Sequence, residues 1–388
     1  MASCLVVGAS AAAAGSVWPQ GDQGAVNRAG PYFSAGWYVG CGIDTAGGLE
    51  CWGNNTHGQR DVPPGLTWTA VSGGDKHTCG LTSASDLRCW GDDSNGQSSV
   101  PSLPSGQTWA AVSTKYNHAC GITSAGGMRC WGSNKMDDGR VVYQTVVPGL
   151  PSGQTWAAVS TGFDHTCGLT SAGGIECWGA NWRGQGDVPA LLSGRTWVAV
   201  ASGNTHTCGI DSAGGMLCWG EDLGGQAKVP ALPYGRVWAA VAASWVHTCG
   251  LDSAGGLQCW GVEVNDNTGQ TEVPPLASGG AWAAVSAAGL YSCGMVSTGD
   301  LKCWGVKVDN FGQTRPPPGV SWEVPTVPYP PSMPPPPPRL PPPDLPPPST
   351  SYDCASGGAC GPGGVQCEWP GRGRCFILPA LHSGQCSA

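Results

Sequence analysis

Seven times the chain spells Cys-Trp-Gly, and each time another cysteine stands ten residues upstream. The pairs are Cys41 and Cys51, Cys79 and Cys89, Cys120 and Cys130, Cys167 and Cys177, Cys208 and Cys218, Cys249 and Cys259, and Cys293 and Cys303. The step between copies varies, from 38 residues (Cys51 to Cys89) to 47 (Cys130 to Cys177), while the inner spacing never does. A period of this size means one small unit stacked against its own copies. Length variation therefore lives in loops, and geometry constrains the paired segment.

The segment Cys167-Gly-Leu-Thr-Ser-Ala-Gly-Gly-Ile-Glu-Cys177 reads as a hairpin. Ser171-Ala172-Gly173 makes a three-residue loop whose last position needs a left-handed backbone, which glycine supplies. Counting outward, Leu169 faces Ile175, Gly168 faces Glu176 and Cys167 faces Cys177. If the closing pair, Thr170 and Gly174, is hydrogen-bonded, alternation makes the cysteines a non-hydrogen-bonded pair, with Cα atoms about 4.5 Å apart, inside disulfide reach. They share a face with Leu169 and Ile175 by the period of two.

Tryptophan is as regular. Trp52, Trp90, Trp131, Trp178, Trp219, Trp260 and Trp304 follow the second cysteine; Trp68, Trp109, Trp156, Trp197, Trp238, Trp282 and Trp322 head a Trp-Ala-Ala-Val-Ser-like strand. Large flat rings beside alanine and glycine suit stacked sheets, so packing between units accounts for all fourteen. The first copy lacks a leading Trp, Gly30 standing at the aligned position, whereas Val320-Ser321-Trp322-Glu323-Val324 starts an eighth strand. A closed ring would let that strand complete the first unit and remove exposed edges.

The repeated His-Thr-Cys-Gly-Leu strand, Ser-Ala-Gly-Gly turn, Cys-Trp-Gly and Asn-x-x-Gly-Gln loop resemble the regulator-of-chromosome-condensation repeat, over residues 30–324. The resemblance implies a seven-bladed β-propeller, matching the count of seven. The cysteine-bearing form is similar to the ectodomains of Crinkly-type receptor kinases and to the propeller-type inhibitor of β-lactamases. The namesake exchanges nucleotide on a small GTPase and docks on chromatin; paired cysteines and an acidic balance without basic arms set this chain apart.

The expected fold class is all-β: a seven-bladed β-propeller at 20–324 after a leader at 1–19, then a proline-rich linker at 325–350 and a Cys-rich module at 351–388. The leader is weakly apolar without a basic start, equally a degraded signal segment or a plain leader. Prolines 334–338, 341–343 and 346–348 read as a polyproline II spacer roughly 80 Å long. The module carries Cys354, Cys360, Cys367, Cys375 and Cys386, an odd number that leaves one thiol for Cys4 or another chain.

A net charge of −8 without basic clusters argues against nucleic acid, and no apolar run is long enough for a membrane span. His77, His118, His165, His206 and His247 stand two residues before a cysteine, but close zinc-type Cys spacing is missing and Val39 and Tyr291 replace the histidine elsewhere. Asp164-His165 looks like half a dyad at a position that varies between copies. We therefore expect no metal, no cofactor and no catalytic residue. Loops written Gly-Gln, with Gly139-Arg140 as the third copy's equivalent, join the units. The candidate partner contacts are loop aromatics, Tyr116, Phe163, Trp245 and Tyr291, with Trp182 in the next loop class. Asn54 heads a glycosylation sequon. The expected function is non-enzymatic binding of a protein or glycan partner, outside the cell or in a wall or matrix; the alternative is a cytoplasmic exchange-factor-like or scaffold propeller acting on a small GTPase.

Overall fold

The computed structural model describes residues 32–136, 138–261, 268–306 and 311–325, and the backbone of 365–366 and 376–377. The first four segments carry seven three-stranded antiparallel sheets, and no helix occurs among the described residues. The sheets are blades 1 to 7, at 33–53, 68–91, 109–132, 156–179, 197–220, 238–260 and 282–305. First strands of successive blades touch round the ring, that of blade 7 against that of blade 1, so they line the axis. Separately, Val365–Gln366 pairs antiparallel with Phe376–Ile377. The leader, the proline-rich linker beyond 325 and the cysteines of the C-terminal module lie outside the described residues.

Blade 4 shows why the repeat folds this way. Gly173 takes φ +78°, its N–H donates to Thr170 O (2.9 Å), and Thr170 N–H donates to Gly174 O (2.8 Å). The register then runs Leu169 against Ile175, Gly168 against Glu176 and Cys167 against Cys177, as the counting predicts. All seven cysteine pairs are disulfide-bonded, with Cα atoms 4.0–4.1 Å apart. Middle strands such as His165–Thr170 are buried at every residue, whereas third strands alternate, Leu87 inside and Arg88 outside. A strand flanked on both edges and both faces has no side left for water.

Each core cluster spans two blades. Cys167, Leu169 and Ile175 of blade 4 pack on Trp197, Val200 and Trp219 of blade 5. Inside a blade the two tryptophans meet at 5.5–5.7 Å and 46–57°. They lie over the glycine that follows the first cysteine: a Cβ on Gly80 would fall 2.5 Å from Trp68 Cζ3 and 3.3 Å from Trp90 Cη2. That close approach is why the motif reads Cys-Gly. In blades 2 to 7 a bulge follows the leading Trp.

Blade junctions repeat two hydrogen bonds. The indole Nε1–H of the third-strand Trp donates to a backbone carbonyl of the preceding loop, as Trp219 does to Gln185 O (3.0 Å). At five of the seven junctions a first-strand serine accepts from the next blade, as Ser160 Oγ does from Ser202 N–H (2.7 Å); Ala201 and Ala242 take its place in blades 5 and 6. The ring closes with both ends in blade 1. Phe33–Ala35 supplies part of the first strand, and Trp322 supplies the Trp position by bridging Asp44. Thr45 N–H donates to Ser321 O and Glu323 N–H to Ile43 O, each at 3.0 Å.

The third inter-blade loop corrects the sequence reading. The residue before the repeated glutamine is not Gly139 but Tyr143, because Gln144 O accepts both Trp178 Nε1–H and Thr166 Oγ1–H, at 2.9 Å each. The loop carries a small extra turn, in which Lys135 bridges Val141, and this displaced the motif.

Candidate functional site

In every blade one short loop joins the first strand to the middle strand. The residue two positions before the repeated histidine is Trp37, Asp75, Tyr116, Phe163, Asn204, Trp245 or Gly289 in blades 1 to 7. All seven line a single depression at the axis, together with Lys115 and backbone around Gly36, Gly73, Gly74 and Ala288. The space that it encloses is about that of one water molecule.

Local hydrogen bonding fixes the loops. Gly162 N–H donates to His165 O (2.7 Å), with the same turn at Gly36, Gly74, Gly203 and Ser244. Neighbouring loops also join: Trp37 N–H to Gly74 O (3.1 Å), Phe163 N–H to Gly203 O (3.2 Å), Asn204 N–H to Ser244 O (3.0 Å). Blades 3 and 7 use a tighter two-residue loop, with Lys115 paired to His118 and Ala288 to Tyr291. Its first residue has φ +48° at Gly289 and +49° at Tyr116. Glycine takes that conformation freely, whereas tyrosine is strained there.

The aromatics form one continuous patch. Tyr116 stacks on Phe163 (3.7 Å, 21°), Phe163 lies 6.5 Å from Trp37, and Trp37 lies 5.0 Å from Trp245. Each is half-buried. Lys115 crosses the axis, its Nζ donating to Ser202 O (2.8 Å) and Ala243 O (2.9 Å).

Under the loops lies a belt of buried histidines. His118, His165, His206 and His247 place Nε2 2.8–3.0 Å from a hydroxyl of the next blade, on Thr166, Thr207, Thr248 and Ser292. His77 has no such partner, because the matching residue is Ala119. Burial pushes His77 down to about 4 and the other four to about 3, with the Lys115 charge lowering those four further. They are neutral struts, and His165 turns its Nε2 to Thr207 rather than to a nucleophile. Among the described residues no group of three or more His, Cys, Asp or Glu is placed to hold a metal. Nor does any helix there have the length and apolarity to cross a membrane.

Three of the five candidate contacts, Tyr116, Phe163 and Trp245, thus come together. Trp37 belongs with them, and its place two residues before Val39 was the available signal. Tyr291 does not: it fills the histidine register, is wholly buried, and its hydroxyl donates to Val39 O (3.0 Å). Trp182 lies further out, 45% exposed, under the Arg140 guanidinium (5.3 Å to the ring centroid). In the same loop as Arg140, Tyr143 is 61% exposed at φ +59°, where the other six blades have glycine at +76 to +90°. Because the middle strand runs antiparallel to both partners, these loops and the axial ones share one end of the blades, as Ser133 N–H to Asn117 O (2.8 Å) shows. Asn54 sits in a loop of the same class, its Oδ1 accepting from Thr56 N–H (2.7 Å).

The model of the Regulator of chromosome condensation (RCC1) repeat matches residues 68–97 and 109–141. Those two stretches, in blades 2 and 3, match the RCC1 repeat. Among solved structures, the propeller is similar to the entire ectodomain of the receptor kinase CR4 from Physcomitrella patens: 25% identity over 73% of this chain and 74% of that one, TM-score 0.56. The CRINKLY ectodomain of the Arabidopsis thaliana receptor kinase ACR4 matches at 24% identity over 74% and 98%, TM-score 0.57. Prp20p from Saccharomyces cerevisiae, described with binding properties to Gsp1p and histones, matches in fold at 19% identity over 62% and 72%, TM-score 0.52. No curated protein matches the chain.

Proposed function

We infer that this RCC1-repeat chain is a non-enzymatic binding propeller of an oxidising, extracellular compartment, which holds its partner on the loop end carrying Tyr116, Phe163, Trp245 and Trp182. The observation that carries the reading is the disulfide in every blade, since such bonds persist outside the cell and are rare in the reducing cytosol. The likeness to receptor ectodomains supports the same compartment. Exposed Trp182, Arg140 and Tyr143 are the residue types that dominate binding energy at protein interfaces, and a glycan at Asn54 would sit at this end.

Peptide mapping under non-reducing conditions, on protein from its native source, tests the compartment. Seven pairs ten residues apart are expected. Free thiols at those positions, with accelerated GDP release from a small GTPase, would instead establish the intracellular exchange-factor reading that the fold shared with Prp20p allows.

A further inference from the structure

We propose that Asn54 carries an N-linked glycan, which occupies the blade 1 side of the loop end and leaves the side of blades 3 to 5 bare. The proposal rests on the extracellular reading above and adds a covalent modification to that same end of the propeller.

The other blades show what this loop needs in order to fold. Asn55 is accounted for: its Oδ1 accepts from Arg60 N–H and its Nδ2 donates to Asp61 Oδ1, each at 2.8 Å. Asn181 clasps the blade 4 loop in the same way, through Gly186 N–H (2.7 Å) and Asp187 Oδ1 (2.8 Å). Asp93 and Asp222 accept the matching N–H in blades 2 and 5, from Ser98 (2.8 Å) and Ala227 (2.9 Å). Asn54 has no such duty. Its backbone N–H donates to Tyr38 O (2.8 Å), and Ala180 and Glu221 make the same bond at its position in blades 4 and 5, to Asp164 O (2.8 Å) and Thr205 O (2.9 Å). The fold therefore accepts any of these side chains there.

The surroundings of Asn54 suit the modification. Its Oδ1 accepts from Thr56 N–H (2.7 Å), an Asx turn that sets the hydroxyl-bearing residue beside the amide. No described residue partners its Nδ2, and that nitrogen is not buried. Asn55, Thr56 and His57 are all exposed. Blade 2 repeats the turn, Ser94 N–H donating to Asp92 Oδ1 (3.1 Å), but a carboxylate offers no nitrogen. The one Asn-x-Ser/Thr triplet of the chain thus falls where the amide is both idle and open. The co-reactant is a lipid-pyrophosphate-linked oligosaccharide. Nδ2 bonds to C1 of its first sugar, the C1–O bond breaks, the pyrophosphate leaves with that electron pair, and a base of the transferase takes one amide proton. Transfer meets the chain before folding is complete, so the fold has only to leave the modified nitrogen in water, and it does.

The rim position three residues before the repeated glutamine is polar in blades 1 and 2, Thr56 and Ser94. In blades 3 to 5 it is Val141, Trp182 and Leu223, all exposed. A solvated glycan on blade 1 covers a sector that is already polar. The apolar sector, centred three blades away, stays open to a partner.

Peptide mapping of the full-length protein from its native source, after peptide N-glycosidase treatment in heavy-oxygen water, tests this. Most of Asn54 should be recovered as heavy-labelled Asp. Thr56→Ala keeps the asparagine but removes the hydroxyl, and occupancy should fall to a trace. Asn54→Gln should abolish it while Tm stays within about 2 °C of the enzymatically deglycosylated protein. Unmodified Asn54 in protein with intact disulfides would overturn this assignment alone and leave the extracellular reading standing. Unmodified Asn54 with free thiols would sink both, and a glycan retained in Thr56→Ala would also contradict the proposal.

Discussion

Blade 5 and blade 1 are held in place by equivalent contacts but differ in how the chain supplies them. In blade 5, Trp197–Ser202 is one continuous first strand. In blade 1 the same strand is divided, Trp322 from one end of the ring and Phe33–Ala35 from the other. The packing hardly registers the difference: Trp197 meets Trp219 at 5.7 Å and 50°, Trp322 meets Trp52 at 5.7 Å and 52°. The hooks recur too, Trp52 Nε1–H to Gln313 O (2.9 Å) and Ala35 N–H to Ser286 Oγ (2.9 Å). Closure thus adds no special chemistry. It reuses the ordinary junction with non-covalent continuity, which makes blade 1 the place where the ring opens first.

The strongest way to break the comparison is to remove residues 319–328. A loss of about 5 kcal/mol or more is expected in urea unfolding, with fast amide exchange confined at first to blade 1. Trp322→Ala and Trp197→Ala should each cost about 3–5 kcal/mol, because both rings fill equivalent sites. A cost under ~1 kcal/mol for Trp322→Ala would show that the closing contact is ornamental.

Next come the disulfides. Replacing Cys41 and Cys51 by alanine, or Cys167 and Cys177, should cost about 3 kcal/mol in either blade. The clip joins middle to third strand, and that segment is continuous in both. A much larger loss in blade 1 would mean that the clip also supports closure.

Acid separates the junctions. A histidine held neutral at about 3 in the fold and free to titrate near 6.5 when unfolded lets the unfolded chain bind more protons between those values, so stability falls as pH falls through that window. Each should cost about 2 kcal/mol at pH 5 relative to pH 7. The closing junction has Tyr291 in that register and escapes this. His165→Gln should therefore flatten the pH dependence of Tm, and hydrogen exchange at pH 5 should rise at the blade 4–5 junction before the closing one.

Ala119→Thr gives the smallest expected effect. The hydroxyl would reach His77 Nε2 as Thr166 reaches His118, adding about 1 kcal/mol of stability, read as a raised Tm.

Much of this was legible in the residues because seven copies constrain one another. Hairpin register, disulfide pairs and blade number follow from spacing and the two-residue period of a strand. The stand-in of Trp322 for a missing leading Trp was legible as well, since an unfilled position and a surplus strand start demand each other. What misled was register where a copy departs from the pattern. Tyr291 looked like a loop aromatic because histidine is its usual occupant, and only the fold shows that the histidine position is buried between blades. Trp37 escaped although Val39 marks the histidine register in blade 1, because that copy lacks the leading Trp that signals the preceding strand. The pairing of Arg140 with Trp182 joins two loops from different blades, and sequence spacing carries no information about that.

The ring closes where the two ends of the propeller meet in blade 1. Native-state hydrogen exchange at the amides of Thr45 and Glu323 tests it most directly, since both donate across the join. Protection far above that of an unstructured peptide, though below that of Thr170 and Gly173 of blade 4, is the predicted result. Exchange at the rate of an unstructured peptide, with blade 4 still protected, would contradict it.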